Sequence, residues 1–525
     1  MIEMQPAWKV YSPATGEEIG ELAETSLSET GFIYERSNTA FKTWSQLAVS
    51  ERLVYFKRLR HLMAEKMDEI AEIISKDTGK VKTEAIVADI MPTLDGIIHI
   101  EKHAVKSLAR KKAATPLLLI GKKSYIEYMP RGVVLIISPW NYPLQLAMVP
   151  ILSAAAAGNT VIAKPSEITP MVGKCMEQLF IEAGFPEDVI QFAHGGKEVG
   201  AALVEHNPDY IFFTGSVRTG KIIGEAVAKK LIPCTLELGG KDPMIVFKDA
   251  NLERAVNGAL WGAFTNSGQV CMSVERLYVE RPIYDQFLVL LKEKARELRQ
   301  GAAPSDDVGS MTFPAQVGIV ASHIKDAVQN GAVLETGTDP DEWKTGRTLF
   351  LPPAILSNVN HSMAIMKEET FGPVLPIMPF DDEEEAIALA NDSKYGLNAS
   401  VWTQDDVKAN RVAGRLVTGA VVINDVLVSV ANHSLPFGGA KQSGIGRYHG
   451  ENSMRMFCHE KAIVKDSGMR KTEIQWYPYH GKYELFLSLF KEYFSGNTNW
   501  TKFGRHYLKL LKISGKAKKK NEWDN

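Results

Sequence analysis

The run Val133-Val134-Leu135-Ile136-Ile137 closes on Ser138-Pro139-Trp140-Asn141-Tyr142-Pro143. Five consecutive apolar residues, mostly β-branched, predict a strand covered on both faces, since a strand with one wet side would alternate. The Ser-Pro step ends it, and strand ends of this kind are where α/β proteins place ligands. Two more runs repeat the pattern: Thr160-Val161-Ile162-Ala163 ends at Lys164, and Tyr210-Ile211-Phe212-Phe213 ends at Thr214-Gly215-Ser216. With a helix expected over 146–157, strands alternate with helices, which predicts a doubly wound parallel sheet. The segment 132–163 carries no charged residue and is long enough to cross a bilayer, but Pro139, Pro143 and Pro150 break it. A soluble strand, loop and helix is expected there instead.

Working outward, 8–22 reads as short strands around Ser12-Pro13-Ala14-Thr15-Gly16, and 27–78 as helix with apolar spacing at Leu53, Phe56, Leu59 and Leu62. The stretch 81–110 reads as amphipathic helix that Pro92 kinks or splits, and Tyr125-Ile126-Glu127-Tyr128-Met129-Pro130 alternates like a strand. Beyond Gly240 the α/β pattern runs to about Asn424, and 436–450 is glycine-rich and loop-like. At 525 residues the chain is too long for one ordinary core, so two or three domains are expected. With 60 basic against 62 acidic residues, nothing asks for a nucleic-acid partner. Cys175, Cys234, Cys271 and Cys458 lack metal-ligand spacing, so no metal site is expected and a reducing cytoplasm is the natural setting. Met1-Ile2-Glu3-Met4-Gln5-Pro6 has no signal-peptide pattern.

Chemistry concentrates in two places. Phe264-Thr265-Asn266-Ser267-Gly268-Gln269-Val270-Cys271-Met272 puts a cysteine after a short polar interruption of an apolar region, as suits a nucleophile on a turn. Leu236-Glu237-Leu238-Gly239-Gly240-Lys241 sets a lone carboxylate before a glycine pair that admits close approach of other backbone or a ligand. Taken singly, such a cysteine is most often a small buried apolar residue and such a glutamate most often a helix-end or turn residue. The spacing Gly215-Ser216-Val217-Arg218-Thr219-Gly220 is GxxxxG, not the GxGxxG of the usual dinucleotide fingerprint, and alone is a plain strand-to-helix turn. Lys164 and Glu167 alone are a surface ion pair, and Glu369 with Phe371 an ordinary turn before Gly372-Pro373.

Seven motifs in order change that balance: Ser138-Pro139-Trp140-Asn141-Tyr142-Pro143, Lys164-Pro165-Ser166-Glu167, Phe213-Thr214-Gly215-Ser216 with Gly220, Glu237-Leu238-Gly239-Gly240, Gly268-Gln269-Val270-Cys271, Glu369-Thr370-Phe371-Gly372-Pro373 and Pro436-Phe437-Gly438-Gly439. Together they resemble the aldehyde dehydrogenase superfamily over residues 8 to 465. The resemblance implies an α/β fold with a Rossmann-type parallel-sheet cofactor domain, an α/β catalytic domain and a small oligomerisation sheet. It divides the chain into an NAD(P)-binding domain, 1–114 and 132–238, a catalytic domain, 239–450, oligomerisation strands, 115–131 and 451–470, and a tail, 471–525. A homodimer or homotetramer is implied with it.

The same resemblance implies that Cys271 attacks an aldehyde, that Asn141 and the Cys271 N–H hold the oxyanion, and that Glu237 activates water against the resulting thioester. Relatives that pass the acyl group to coenzyme A generally lack a carboxylate at the Glu237 position, so an acid-forming enzyme is expected. Trp140, Lys164, Glu167, Gly215, Ser216, Gly220, Glu369 and Phe371 are the implied cofactor residues. Glu167 would repel a 2′-phosphate, which favours NAD, with NADP as the alternative. The rivals are an acyl-transferring or semialdehyde-specific enzyme and a non-catalytic protein on the same scaffold.

For the substrate, Asp425-Val426-Leu427-Val428-Ser429-Val430 and Leu435-Pro436-Phe437 are mostly apolar and no arginine is placed to hold a carboxylate. A hydrophobic aldehyde is expected: medium or long-chain fatty, aromatic or terpenoid. Asn424-Asp425-Val426 and Tyr448-His449-Gly450 look most like the fatty and aromatic aldehyde branch. Past Trp476-Tyr477-Pro478-Tyr479, a helix over 500–520 would set Trp500, Phe503, Tyr507, Leu510 and Leu511 on one side and Lys502, Arg505, Lys509, Lys512 and Lys516 on the other. Such a helix either lies on an anionic membrane as a peripheral contact or docks on its own core or a partner subunit, and Asn521 to Asn525 are expected to fray.

Overall fold

The computed structural model describes residues 7–343 and 346–515. Lys516 and 521–525 therefore lie outside the described residues. The Val133–Ile137 strand has the two-sided burial its composition demands. Val133 and Leu135 pack on one side with Ile33, Ile162, Ile211 and Phe213, while Val134 and Ile136 pack on the other with Val161, Phe212 and Leu152. Each such side chain contributes about 1.5–3 kcal/mol by leaving water. The sheet runs Ile190–Phe192, Thr160–Lys164, Val133–Ile137, Tyr210–Thr214, Cys234–Glu237, all parallel. In chain order that is 3-2-1-4-5, the doubly wound arrangement whose strands reverse order beside Val133–Ile137.

One expected loop contains a strand. Gly444–Ile445, inside the glycine-rich 436–450 stretch, adds antiparallel to Cys234–Glu237, with Gly444 opposite Glu237. A Cβ at Gly444 would stand 2.3 Å from the Leu236 carbonyl oxygen, so only glycine lets the chain come this close.

The second sheet runs Val333–Thr336, Ala354–Ser357, Val374–Phe380, Val274–Glu280, Asp242–Val246, Asn398–Trp402, Ala420–Ile423, parallel except for its first strand. Three helices, Glu29–Trp44, Val49–Glu65 and Met67–Thr78, fill the expected helical stretch. Over 81–110 the chain makes a short helix, a π-helical turn Ala85–Ile90, and then Met91–Ser107. Pro92 sits in the first turn of that last helix, directly after the π-helical turn, so the helical stretch is divided there and not ended.

By contacts the chain divides into Met1–Ala109 with Tyr128–Glu460, and Arg110–Glu127 with the chain from Lys461 onward. A small three-stranded sheet joins Cys458–Lys465, Lys123–Pro130 and Lys111–Ala113, the last two antiparallel, so it takes in residues ahead of 115. The tail forms two helices, Tyr483–Phe494 and Trp500–Gly515. Phe503 and Leu510, from the apolar side expected to meet a membrane or a protein core, are buried with Leu489 and Ile474. The middle of that side, Phe503 and Leu510, is therefore docked on protein, while Trp500 at its start is exposed. Among the described residues no helix is long and apolar enough to cross a membrane.

Candidate active site

Cys271 follows a turn whose shape is unusual. After the Leu252–Phe264 helix, Asn266, Ser267 and Gly268 have φ of 50°, 53° and 70°. Two consecutive non-glycine residues in left-handed conformation persist only where the surroundings fix them. Here the Glu84 carboxylate accepts from Asn266 N at 2.7 Å and Thr265 Oγ1 at 2.8 Å, and Ser267 Oγ donates to Gly309 O at 2.8 Å. Gln269 ties the turn together: its Nε2 donates to Asn266 O at 2.9 Å and its Oε1 accepts from Thr312 N at 2.9 Å.

Asn141 is joined to the same turn. Its Nδ2 donates to Gln269 O at 3.0 Å, and its own carbonyl accepts from Asn266 Nδ2 at 3.0 Å and from Lys80 Nζ at 2.8 Å. Lys80 also pairs with Asp89 at 2.7 Å, both side chains fully buried, and Asp89 accepts from Gln145 N at 3.3 Å. The segment 141–145 is thereby clamped at both ends, leaving the second Nδ2–H of Asn141 available.

Across from it stands Glu237, buried at the end of the Cys234–Glu237 strand with neither carboxylate oxygen hydrogen-bonded. Burial pushes it well above the usual carboxylate range, and Arg447 only partly opposes this. The Cys271 thiol is also pushed up, first by burial, then by the charges of Glu369, Asp242 and Glu237. The glycine pair acts as expected: a Cβ at Gly239 would meet Glu369 Oε2, and one at Gly240 would meet the Cys271 carbonyl oxygen, each at 2.1 Å.

Two cavities meet here. One, of about 1120 Å³, is walled by apolar side chains such as Met91, Val270, Leu427, Val430 and Phe437, with no lysine or arginine among its lining residues. The other, of about 800 Å³, is lined by Trp140, Asn141, Gly215, Ser216, Glu369 and Phe371. Cys271 and Glu237 line both, at the junction.

The sequence model of the aldehyde dehydrogenase family matches residues 3–463. The chain belongs to the aldehyde dehydrogenase family. It is similar to the 4,4'-diapolycopene aldehyde oxidase of Methylomonas sp, 42% identical over 91% of this chain and 89% of that one. The 4,4'-diaponeurosporen-aldehyde dehydrogenase of Staphylococcus aureus is 36% identical, over 87% of this chain and 98% of its own. Among solved structures, an NAD+ complex of an aldehyde dehydrogenase from Bacillus cereus superposes with a TM-score of 0.84 at 34% identity, covering 88% of this chain and 94% of that one. This aldehyde dehydrogenase is accordingly an NAD(P)-dependent oxidoreductase with an α/β fold.

The polar cavity of the dehydrogenase fits such a cofactor. Ser216 caps the Val217–Lys230 helix, accepting from Thr219 N at 3.3 Å, and the helix N-terminus beside it suits a pyrophosphate. Glu369 accepts one bond, from Gly240 N at 3.0 Å, and is pushed up to about 8 by burial and then by Glu275, so its carboxyl has acceptor capacity left for a diol. Phe371, at φ 51°, meets Trp140 edge-on at 5.4 Å. Lys164 and Glu167 pair at 2.7 Å on the neighbouring strand end, outside this cavity's lining. Gly220 does not line it either: a Cβ there would stand 2.4 Å from Leu238, so this glycine lets helix pack on sheet.

Sequence reasoning passed over the groups that hold the site. Glu275 takes Lys241 at 2.5 Å and accepts from Thr370 N at 2.8 Å and Phe371 N at 2.9 Å, which fixes the Glu369–Phe371 turn. Glu84, Lys80 and Asp89 brace the turn before Cys271. The one signal was Asp89 within Ile86-Val87-Ala88-Asp89-Ile90-Met91, a charge in an apolar run that demands a buried partner.

Proposed function

We propose that this enzyme oxidises a long apolar aldehyde, of the polyene class named for its relatives, to the carboxylic acid. The observation that carries this is the apolar cavity of about 1120 Å³ that ends on Cys271 with no cation in its lining. A semialdehyde carboxylate would be buried there unpaired, at a cost of several kcal/mol.

In this reading the Cys271 thiol gives up its proton to water as Sγ bonds to the aldehyde carbon. Asn141 Nδ2–H and the Cys271 N–H donate to the oxygen, which becomes an oxyanion. The nicotinamide, when bound beside Trp140 and Phe371, supplies the hydride acceptor. The thioester left on Cys271 is opened by a water whose proton goes to the Glu237 carboxylate, releasing the acid and returning the thiol. Gly215 and Ser216 would hold the pyrophosphate, Lys164 and Glu167 the adenosine ribose, and Glu369 the nicotinamide ribose, with NAD preferred over NADP. Gly220 serves the same loop through its packing.

We infer the remaining organisation with it. Residues 1–114 and 132–238 bind cofactor, apart from the Lys111–Ala113 strand, 239–450 carry the chemistry, and 115–131 with 451–470 assemble a homodimer or homotetramer. The enzyme is cytoplasmic and meets its apolar substrate at a membrane surface through its C-terminal tail.

The test is NADH formation over straight-chain aldehydes of increasing length and a polyene aldehyde, with succinic semialdehyde as control. We expect kcat/KM to rise with length, roughly tenfold for one or two methylenes. A preference for the semialdehyde would overturn the substrate class.

A further inference from the structure

The Tyr483–Phe494 helix is apolar on two sides. Leu489, fully buried, packs inward with Phe503 and Leu510, along with Leu485, Phe486 and Tyr493. Tyr483, Leu487, Phe490 and Phe494 recur at i, i+4, i+7 and i+11, one straight stripe on a helix. They are 72%, 37%, 39% and 71% exposed. Ahead of this helix Tyr477 is 79% exposed as well. A contiguous apolar surface of this kind is an interaction site, since scattered single residues are what an ordinary surface shows.

Its composition and neighbouring charge select the partner. The stripe is apolar and aromatic throughout, Tyr483, Leu487, Phe490 and Phe494, and such rings sit well at the boundary between headgroups and acyl chains. Between residues 501 and 520 the sequence carries eight lysines and arginines and no acid, a match for anionic lipid headgroups. No described helix can span a bilayer, so the contact lies in its interface.

We propose that the outward stripe Tyr483, Leu487, Phe490 and Phe494 is the face by which this enzyme lies on an anionic bilayer. The surface is thus carried by the penultimate helix, not by the apolar side of the last one. The proposal rests on the reading that the substrate is membrane-dissolved, but its test needs no substrate.

The full-length enzyme is sedimented with vesicles of phosphatidylglycerol and phosphatidylcholine, and with phosphatidylcholine alone. We expect binding to the anionic vesicles that weakens at about 0.5 M salt. F490E/F494E should lower it about tenfold, and K509E/K512E severalfold. NADH formation from a short soluble aldehyde and the molar mass in solution should stay at wild-type values in both. Absent wild-type binding, undiminished binding of F490E/F494E, or a fall in its molar mass, which would place the stripe between copies of the chain, would each overturn the proposal. Failure to bind vesicles while long aldehydes in micelles are still preferred sinks the docking face alone. Vesicle binding with a semialdehyde preference sinks the substrate reading alone.

Discussion

Asn141 donates its side-chain amide to the main-chain carbonyl of Gln269 at 3.0 Å, two residues before Cys271. Asn141 and the turn before Cys271 are thus one rigid piece. Asn141→Ala should lower kcat about 10²- to 10³-fold, the usual cost of one oxyanion donor, with NAD affinity at its wild-type value. Single-turnover NADH formation checks this, and an unchanged hydride step would remove Asn141 from the role.

Lys80 reaches the same residue from the other side, bonding the Asn141 carbonyl and the buried Asp89. Lys80→Met leaves Asp89 buried and uncompensated, which costs about 3–5 kcal/mol. The double change K80M/D89L should recover much of the lost Tm but not the turnover, because Asn141 stays unclamped. Recovery of both would show that the pair serves stability alone.

Glu237 has no hydrogen-bond partner, and burial raises it well above the usual carboxylate range, as suits a base that takes a proton from water. Glu237→Gln should retain a burst of NADH equal to the enzyme concentration and slow the following steady state about 10²-fold or more. Loss of the burst would place Glu237 in an earlier step.

The Cys271 thiol is likewise raised, so its reactive fraction grows with pH. We expect kcat/KM to climb through the alkaline range with no plateau near neutrality. A profile flat from pH 6 upward would show that another group in the complete enzyme already holds the thiolate.

Buried Asp77 and half-buried His99 give stability opposite pH dependences. Asp77, whose Oδ2 accepts from Val172 N at 2.9 Å, is raised to about 7 by burial. Its unfolded value is about 3.9, so its contribution is fully present below that and lost as pH rises through about 7. His99 is lowered to about 4, first by burial, then by His103 and His433. Its contribution is present above the unfolded value of about 6.5 and lost as pH falls toward 4. Differences in Tm between wild type and Asp77→Asn should therefore widen from pH 8 to pH 5, and those between wild type and His99→Phe from pH 5 to pH 8. A pH-independent difference in either pair would refute the corresponding assignment.

The sequence by itself determined the parallel sheet, because Val133–Ile137, Thr160–Lys164 and Tyr210–Thr214 are runs whose burial is a local property of composition. It offered Cys271, Glu237 and Asn141 as candidates only through seven ordered motifs that resemble the aldehyde dehydrogenase family, since each alone reads as a buried or turn residue. Tertiary structure alone decided what braces them. Glu84 meets Asn266, and Lys80 meets Asn141, across separations of 182 and 61 residues, and no local pattern encodes such a pairing. The tail shows the same division. The sequence made the Trp500–Gly515 helix amphipathic, but only packing against Leu489 decided that its apolar side is covered while the stripe from Tyr483 to Phe494 stays in water. An amphipathic pattern specifies that a face must be buried, and the neighbour that buries it is a property of the fold.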